Sequence, residues 1–269
     1  MLHIKDLVVF SDQHKRPENQ DCAFHFAFDG NPFPKSAMSI YAVLDGVSHS
    51  NGGTAARIAA AAMRPRLAEL LGNADMLLQL DDDTKRAEIW HILKCAIHDA
   101  DDCLRAMPHS GGRNHGTTIT LAVVFDEAVF TANIGDSPAY LLRLAGRQEG
   151  TLLPLFQCQN EAGMAVAEGR LTPEEALRSP LRNALIHMVG AGILETDIHT
   201  SFAWLSQSDL LLLGSDGALG VLSEEELTRL MLEQAPEDVH AAAGALFRRI
   251  QESASTDNFT IIIQTLETD

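Results

Sequence analysis

Residues 41–53 read YAVLDGVSHSNGG. Four mostly apolar residues reach Asp45-Gly46, and a small, polar, glycine-rich loop follows. An apolar strand thus delivers one carboxylate into a flexible loop. Asp-Gly is also a common hairpin turn, so the pair alone decides nothing. The reading turns on whether other strands deliver carboxylates in the same way.

Three others do. ANIGDS (132–137) puts Asp136 at the turn after an apolar strand. DLLLLGSDGAL (209–219) puts Asp216 just past a run of leucines, and STDNFTIII (255–263) puts Asp257 just before an apolar strand. Each stands beside Gly, Ser, Thr or Asn. Strand ends are rigid, and such turns leave room for a ligand. Taken singly, each reads as a turn residue. Taken together, carboxylates meeting at one edge would repel unless a cation sat among them. Hard oxygen ligands select Mg²⁺ or Mn²⁺. Two such ions ~3.5–4 Å apart activate a water and clamp a phosphoryl group.

Outward from these points, residues 2–10, 22–29 and 38–45 read as strands. An Ala-rich helix is expected from Gly52 to about Leu71, and a second from Asp83 or Thr84 to about Met107. The acidic run Asp81-Asp82-Asp83 reads as a solvated helix start. TTITLAVVF, AVFTANI and PAYLLRL read as consecutive antiparallel strands separated by DE and GDS turns. Residues 160–190 turn helical, with Thr172-Pro173-Glu174-Glu175 as a helix start. Strands return at 197–205 and 209–214, helices follow near 223–233 and 236–252, and NFTIIIQTL closes as a strand. Strands and helices alternate in clumps, which favours an α+β class with antiparallel sheets. Trp90 and Trp204 are expected in the core, and His91, His98, His187 and His199 lack ligand spacing.

The chain has 269 residues, 46% of them hydrophobic, enough for a sizeable core. Lys plus Arg is 20 and Asp plus Glu is 37, a net charge of −17. Such a surface repels nucleic acid and anionic lipid. No apolar run nears the ~18 residues of a membrane helix, and the N-terminus does not read as a signal peptide. Cys22, Cys95, Cys103 and Cys158 form no CxxC pair. They are expected to be buried, reduced thiols of a cytoplasmic protein.

The order of motifs resembles the metal-dependent protein phosphatases of the type 2C family, in their compact bacterial form. RPENQD (16–21), VLDGVSHSNGG, GTTITLAVV (116–124), ANIGDSPAYLLR (132–143), LLLGSDGAL (211–219) and TDNFTIII (256–263) follow the family's motifs nearly end to end. The resemblance implies one domain over 1–269, an α-β-β-α sandwich of two central antiparallel sheets flanked by antiparallel helix pairs. It implies a helical flap at about 158–192. It implies that Asp45 bridges both metal ions, with the Gly46 carbonyl as a further ligand. Asp216 and Asp257 would complete the first ion's shell, and Asp136, with Asp216, would hold a looser third ion. Asp21 would bind a metal-coordinated water or orient a ligand, and Arg16 would grip the substrate phosphate. The implied reaction is Mn²⁺- or Mg²⁺-dependent hydrolysis of phosphoserine and phosphothreonine in proteins by a metal-bridged water. The implied partner is a phosphoprotein, opposite a Ser/Thr kinase, with the enzyme a monomer.

The chain departs from the family's pattern in four places. Pro138 replaces an Arg after Gly-Asp-Ser, and Gln20 stands where many members have Glu. Val47 replaces a His proposed as general acid in some members, with His49 near enough to substitute. Cys158-Gln159-Asn160 fills the slot of the family's Asp-His-Ser/Thr. That segment raises a second reading, a catalytically weak relative that binds a signalling partner without hydrolysis. A third is a phosphatase dedicated to one signalling partner, such as an anti-anti-sigma-type protein.

Overall fold

The computed structural model describes residues 2–28, 37–47, 52–108, 115–145, 149–235 and 238–268. His49 lies outside them. The described strands form two antiparallel five-stranded sheets. One runs β1 (Leu2–Asp12), β10 (Phe259–Thr268), β9 (Leu210–Gly214), β6 (Ala139–Leu144), β7 (Gly150–Pro154). The other runs β2 (Cys22–Phe28), β3 (Met38–Leu44), β4 (Ile119–Phe125), β5 (Ala128–Ile134), β8 (His199–Trp204).

The sheets stack face to face, and helices cover both outer faces. Side chains alternate across a strand, so a strand buried on both faces reads as a continuous apolar run. In β3, Ile40, Ala42 and Leu44 enter the core under the helices α1 (Gly52–Gly72) and α3 (Asp82–Arg105). Tyr41 and Val43 of the same strand enter the core between the sheets. The four leucines of β9 split likewise. Leu211 and Leu213 face the other sheet, whereas Leu210 and Leu212 pack with the helices α6 (Glu224–Gln234) and α7 (Val239–Glu252). Tyr41 donates a hydrogen bond to Gln264 Oε1 at 2.9 Å, a buried polar contact that links the sheets.

The α+β sandwich, its helix pairs and most element positions match expectation. Asp81 caps α3, accepting from Thr84 N at 3.0 Å. Four details differ. The strands after 116 are not three neighbours: β4 and β5 pair, but the chain then crosses to the other sheet, where β6 pairs with β7 and β9. Residues 160–190 form only short helices, α4 (Glu161–Ala167) and α5 (Pro173–Arg178), with a 3-10 turn at Pro180–Asn183. The prolines at 173 and 180 stop longer helices there. Trp204 ends the edge strand β8 and is 52% exposed, while Trp90 packs against the core. The cysteines are half-buried, or exposed at Cys103, and none is disulfide-bonded. Among the described residues no helix is long and apolar enough to cross a membrane.

Strand register brings the carboxylates to one end of the sandwich. Cys22 pairs with Leu44, so Asp21 at the start of β2 lies beside Asp45 at the end of β3. Asp136 follows the end of β5, which pairs with the start of β4. In the second sheet Ile261 pairs with Gly214, placing Asp257 before β10 beside Asp216 after β9.

Candidate metal centre

Asp45 stands on a ledge built by the Gly-Thr-Thr segment. Its backbone N–H donates to Thr118 Oγ1 at 3.0 Å. Its carbonyl accepts from Thr118 N at 2.8 Å and Thr117 Oγ1 at 2.9 Å. Thr118 Oγ1 also shares a 2.7 Å hydrogen bond with Ser137 Oγ, tying the Asp45 ledge to the turn that carries Asp136. Gly46 bridges Thr117, which in turn bridges Val189. A Cβ on Gly46 would stand 2.6 Å from Gln20 O and closer still to the backbone of Gly52. Only glycine lets the loop and the start of α1 approach this closely.

Asp21 is buried at 7% exposed. Its Oδ2 accepts from Ser215 Oγ at 2.8 Å, and its Oδ1 is buried with no hydrogen-bond partner among the described residues. Ser215 Oγ also accepts from Thr260 N at 3.0 Å, which fixes Asp21 against the β9–β10 pair. Asn258 holds the loop in front: its Oδ1 accepts from Gln20 N, and its Nδ2 donates to the carbonyls of Gln13 and Glu18, each at 2.9 Å. Gly217 lies so near that a Cβ there would overlap the Asn258 carbonyl.

The carboxylates act on one another. Burial first, then the charges of Asp21, Asp216, Asp136 and Asp257, push Asp45 well above the ordinary carboxylate range. Burial pushes Asp21 up to about 6 against hydrogen bonds from Thr260 and Ser215, with Asp216 and Asp257 adding to the rise. Burial and then Asp216 push Asp136 up to about 7, opposed by Asn160 and Arg182. Burial raises Asp216 as well, offset by Arg182. Asp21, Asp45, Asp136, Asp216 and Asp257, all expected at the site from the sequence, thus share one neighbourhood.

The residues fit a divalent cation by chemistry. The donors are hard oxygens, one of them orphaned in a buried position, and their mutual repulsion is what a cation relieves. Among the described residues no group of three or more His, Cys, Asp or Glu side chains stands close enough, as placed, to hold a metal ion. The arrangement suits an open site whose ions keep waters.

Two guanidinium groups reach the cluster. Arg16 donates through Nε and a terminal nitrogen to both oxygens of Asp257, each at 3.0 Å. The group expected to face a phosphate is therefore paired with a carboxylate of the site, because a guanidinium fork matches either geometry. Arg182, on the short turn after α5, lies 3.7 Å from Asp216 Oδ2. The sequence reading did not single it out; its signal was the SPLRNAL stretch inside the expected flap. Burial and then Asp136 push the Cys158 thiol up to about 12, which favours its protonated, less reactive form. Gln159 and Asn160 are both engaged with the Asp136 turn.

The crowding has a pH consequence. In the unfolded chain these carboxyls titrate near 3.8, but Asp21 and Asp136 hold their protons to about 6 and 7 in the fold. The stability they confer is complete at low pH and is lost as pH rises through those values. Metal-free protein is expected to lose on the order of a few kcal/mol between pH 5 and pH 8. Mn²⁺ should restore more at pH 8 than at pH 5. Thermal unfolding in EDTA and in Mn²⁺ checks this; a flat profile in EDTA would show that the carboxylates do not crowd one another.

A family model described as protein phosphatase 2C matches residues 13–253, and the chain belongs to that family. Among curated relatives, serine/threonine phosphatase stp of Listeria welshimeri is 28% identical over 149 residues, 55% of this chain and 56% of that protein. Serine/threonine protein phosphatase PstP of Mycobacterium tuberculosis is 28% identical over 191 residues, 70% of this chain and 35% of that protein. The chain thus spans about half the length of the first relative and about a third of the second. In fold it is similar to a bacterial serine phosphatase crystal structure, with a TM-score of 0.77 at 21% identity and 99% coverage of both chains. It is also similar to the catalytic domain of PstP solved with two manganese ions, at a TM-score of 0.68, 23% identity and 100% coverage of both.

Proposed function

We propose that this protein is a Mn²⁺- or Mg²⁺-dependent phosphatase that hydrolyses phosphoserine and phosphothreonine in proteins, opposing a Ser/Thr kinase. The observation that carries the reading is the strand register that gathers Asp21, Asp45, Asp136, Asp216 and Asp257 at one end of the sandwich. Family membership and the phosphatase names of the relatives support it. The whole chain acts as one domain, with 158–192 as its flap, working as a cytoplasmic monomer.

Asp45, the Gly46 carbonyl, Asp216 and Asp257 would hold the ions, with Asp21 behind them. Bound divalent ions supply a water of lowered pKa and charge neutralisation at the phosphoryl group. The chain's own contribution is positioning and charge. The ledge of Thr117 and Thr118 holds Asp45, and Ser215 holds Asp21. Arg16 exchanges Asp257 for the substrate phosphate, and Arg182 offers a second guanidinium from the flap side. The attack leaves no covalent enzyme intermediate. Nothing in the site favours the binding-only alternative.

Hydrolysis of p-nitrophenyl phosphate and of a phosphothreonine peptide, with Mn²⁺, with Mg²⁺ and after EDTA, tests the reading. Turnover that EDTA removes and added metal restores is expected. No turnover with either ion, from protein shown to be folded, would overturn it.

A further inference from the structure

We propose that Asn160 is a positioning residue that fills, at Asp136, the place a further divalent ion would take, so that the carboxylate centre holds two ions. The inference rests on the metal-centre reading above. Asp136 and Asn160 are buried, at 7% and 5% exposed. Asn160 Nδ2 donates to Asp136 Oδ2 at 2.8 Å. The amide is locked from its other end: its Oδ1 accepts from Gly163 N at 2.8 Å as the cap of α4. Because that oxygen faces an N–H, the group turned to Asp136 is the amide nitrogen.

The backbone around the amide is held as firmly. Asn160 bridges Leu185, and Glu161 N donates to Ala184 O at 2.9 Å. One residue back, Gln159 fastens the turn that presents Asp136. Gly135 N donates to Gln159 Oε1 at 2.8 Å, and Gln159 N donates to Gly135 O at 3.1 Å. Gln159 Nε2 donates to Asp197 O at 2.6 Å, so the clamp is anchored to the turn that leads into β8. Donor and carboxylate therefore belong to one braced unit and do not drift apart.

A cation approaching Asp136 Oδ2 meets the positive end of a fixed amide dipole. One lone-pair direction of that oxygen is already used. Arg182 beside Asp216 adds a permanent positive charge to the same side of the cluster. The Cys158-Gln159-Asn160 segment contributes no carboxylate to offset these groups. Asp257 accepts the Asn258 backbone N–H at 3.0 Å on one oxygen and otherwise pairs with Arg16, whose long side chain can swing away.

Equilibrium dialysis against saturating Mn²⁺ with elemental counting tests this on wild type, Asn160→Asp and Asn160→Ser, with thermal unfolding in EDTA to establish the fold. The wild type is expected to hold about two ions per chain. Asn160→Asp replaces the donor by a charge that repels Asp136, and should gain an ion. Asn160→Ser keeps a helix cap but is too short to serve Asp136, and should gain a weaker one. A third ion in the wild type, or no gain in either folded variant, would overturn the proposal. Fewer than two ions in the wild type would instead overturn the metal-centre reading itself, and this inference with it.

Discussion

Asp45→Asn is expected to lower metal-dependent phosphatase turnover by on the order of 10³-fold or more, about 4 kcal/mol of barrier. The same change should raise the unfolding temperature of metal-free protein at pH 8. The first effect follows from position. Asp45 is the carboxylate on which the charges of Asp21, Asp216, Asp136 and Asp257 all act, so its loss removes the shared point of the cluster. The second follows from the same crowding. A carboxylate held well above its ordinary range is charged at pH 8 only at the expense of the fold. Asparagine keeps the shape and removes the charge, and the backbone bonds of residue 45 to Thr117 and Thr118 are untouched. Relief of about 1–3 kcal/mol would move the melting point by roughly 2–12 °C in a protein of this size. Steady-state kinetics in Mn²⁺ and melting in EDTA read the two arms separately. Undiminished turnover would remove Asp45 from the metal centre. A lower melting point in EDTA would show that its charge is satisfied within the fold, contrary to the crowding described.

That trade between stability and activity was half visible in the sequence. Each carboxylate announced itself locally, as an apolar run ending or starting at Asp beside a small residue. Asp45, Asp136, Asp216 and Asp257 were found that way. Their convergence was not local, because it depends on strand register between segments far apart in the chain. The Gly135-Asp136-Ser137 turn reads the same whether the next strand pairs with its predecessor or leaves for the other sheet. The crossing was therefore missed. Strand β7 escaped notice because it is an edge strand, only partly buried, without a full apolar run.

Arg182, and the partner that Arg16 takes, were illegible for another reason. Nothing periodic marks Arg182, which sits on a single 3-10 turn. The pairing of Arg16 with Asp257 joins residues 241 apart. The Cys158-Gln159-Asn160 segment read from sequence as a loss of the family's pattern. The structure shows both amides engaged with the Asp136 turn, a substitution of contacts that letters alone do not display.

Gly46→Ala is expected to destabilise the protein by about 3 kcal/mol or more and to remove metal-dependent turnover, while Gly72→Ala should be neutral or mildly stabilising. A Cβ on Gly46 meets the Gln20 carbonyl at 2.6 Å and overlaps the backbone of Gly52. These neighbours are main-chain atoms, so no side chain can rotate away to make room. Relief requires the loop before β2 and the start of α1 to move apart from the ledge. Asp21 rides on the first of these and Asp45 on the ledge, so the strain falls on the metal centre. Gly72 ends the same helix with nothing among the described residues within 4 Å of a Cβ, and alanine there gains helix propensity without a clash. For a chain of this length the loss at Gly46 corresponds to roughly 6–12 °C in melting temperature. Calorimetry of both variants, with Mn²⁺ titration of Gly46→Ala at a temperature where it remains folded, separates the two consequences. A Gly46→Ala protein that melts with the wild type would show that loop and helix start have room to part. One that melts early yet binds Mn²⁺ as tightly would show that the close approach serves the fold alone, and that Asp45 keeps its place without it.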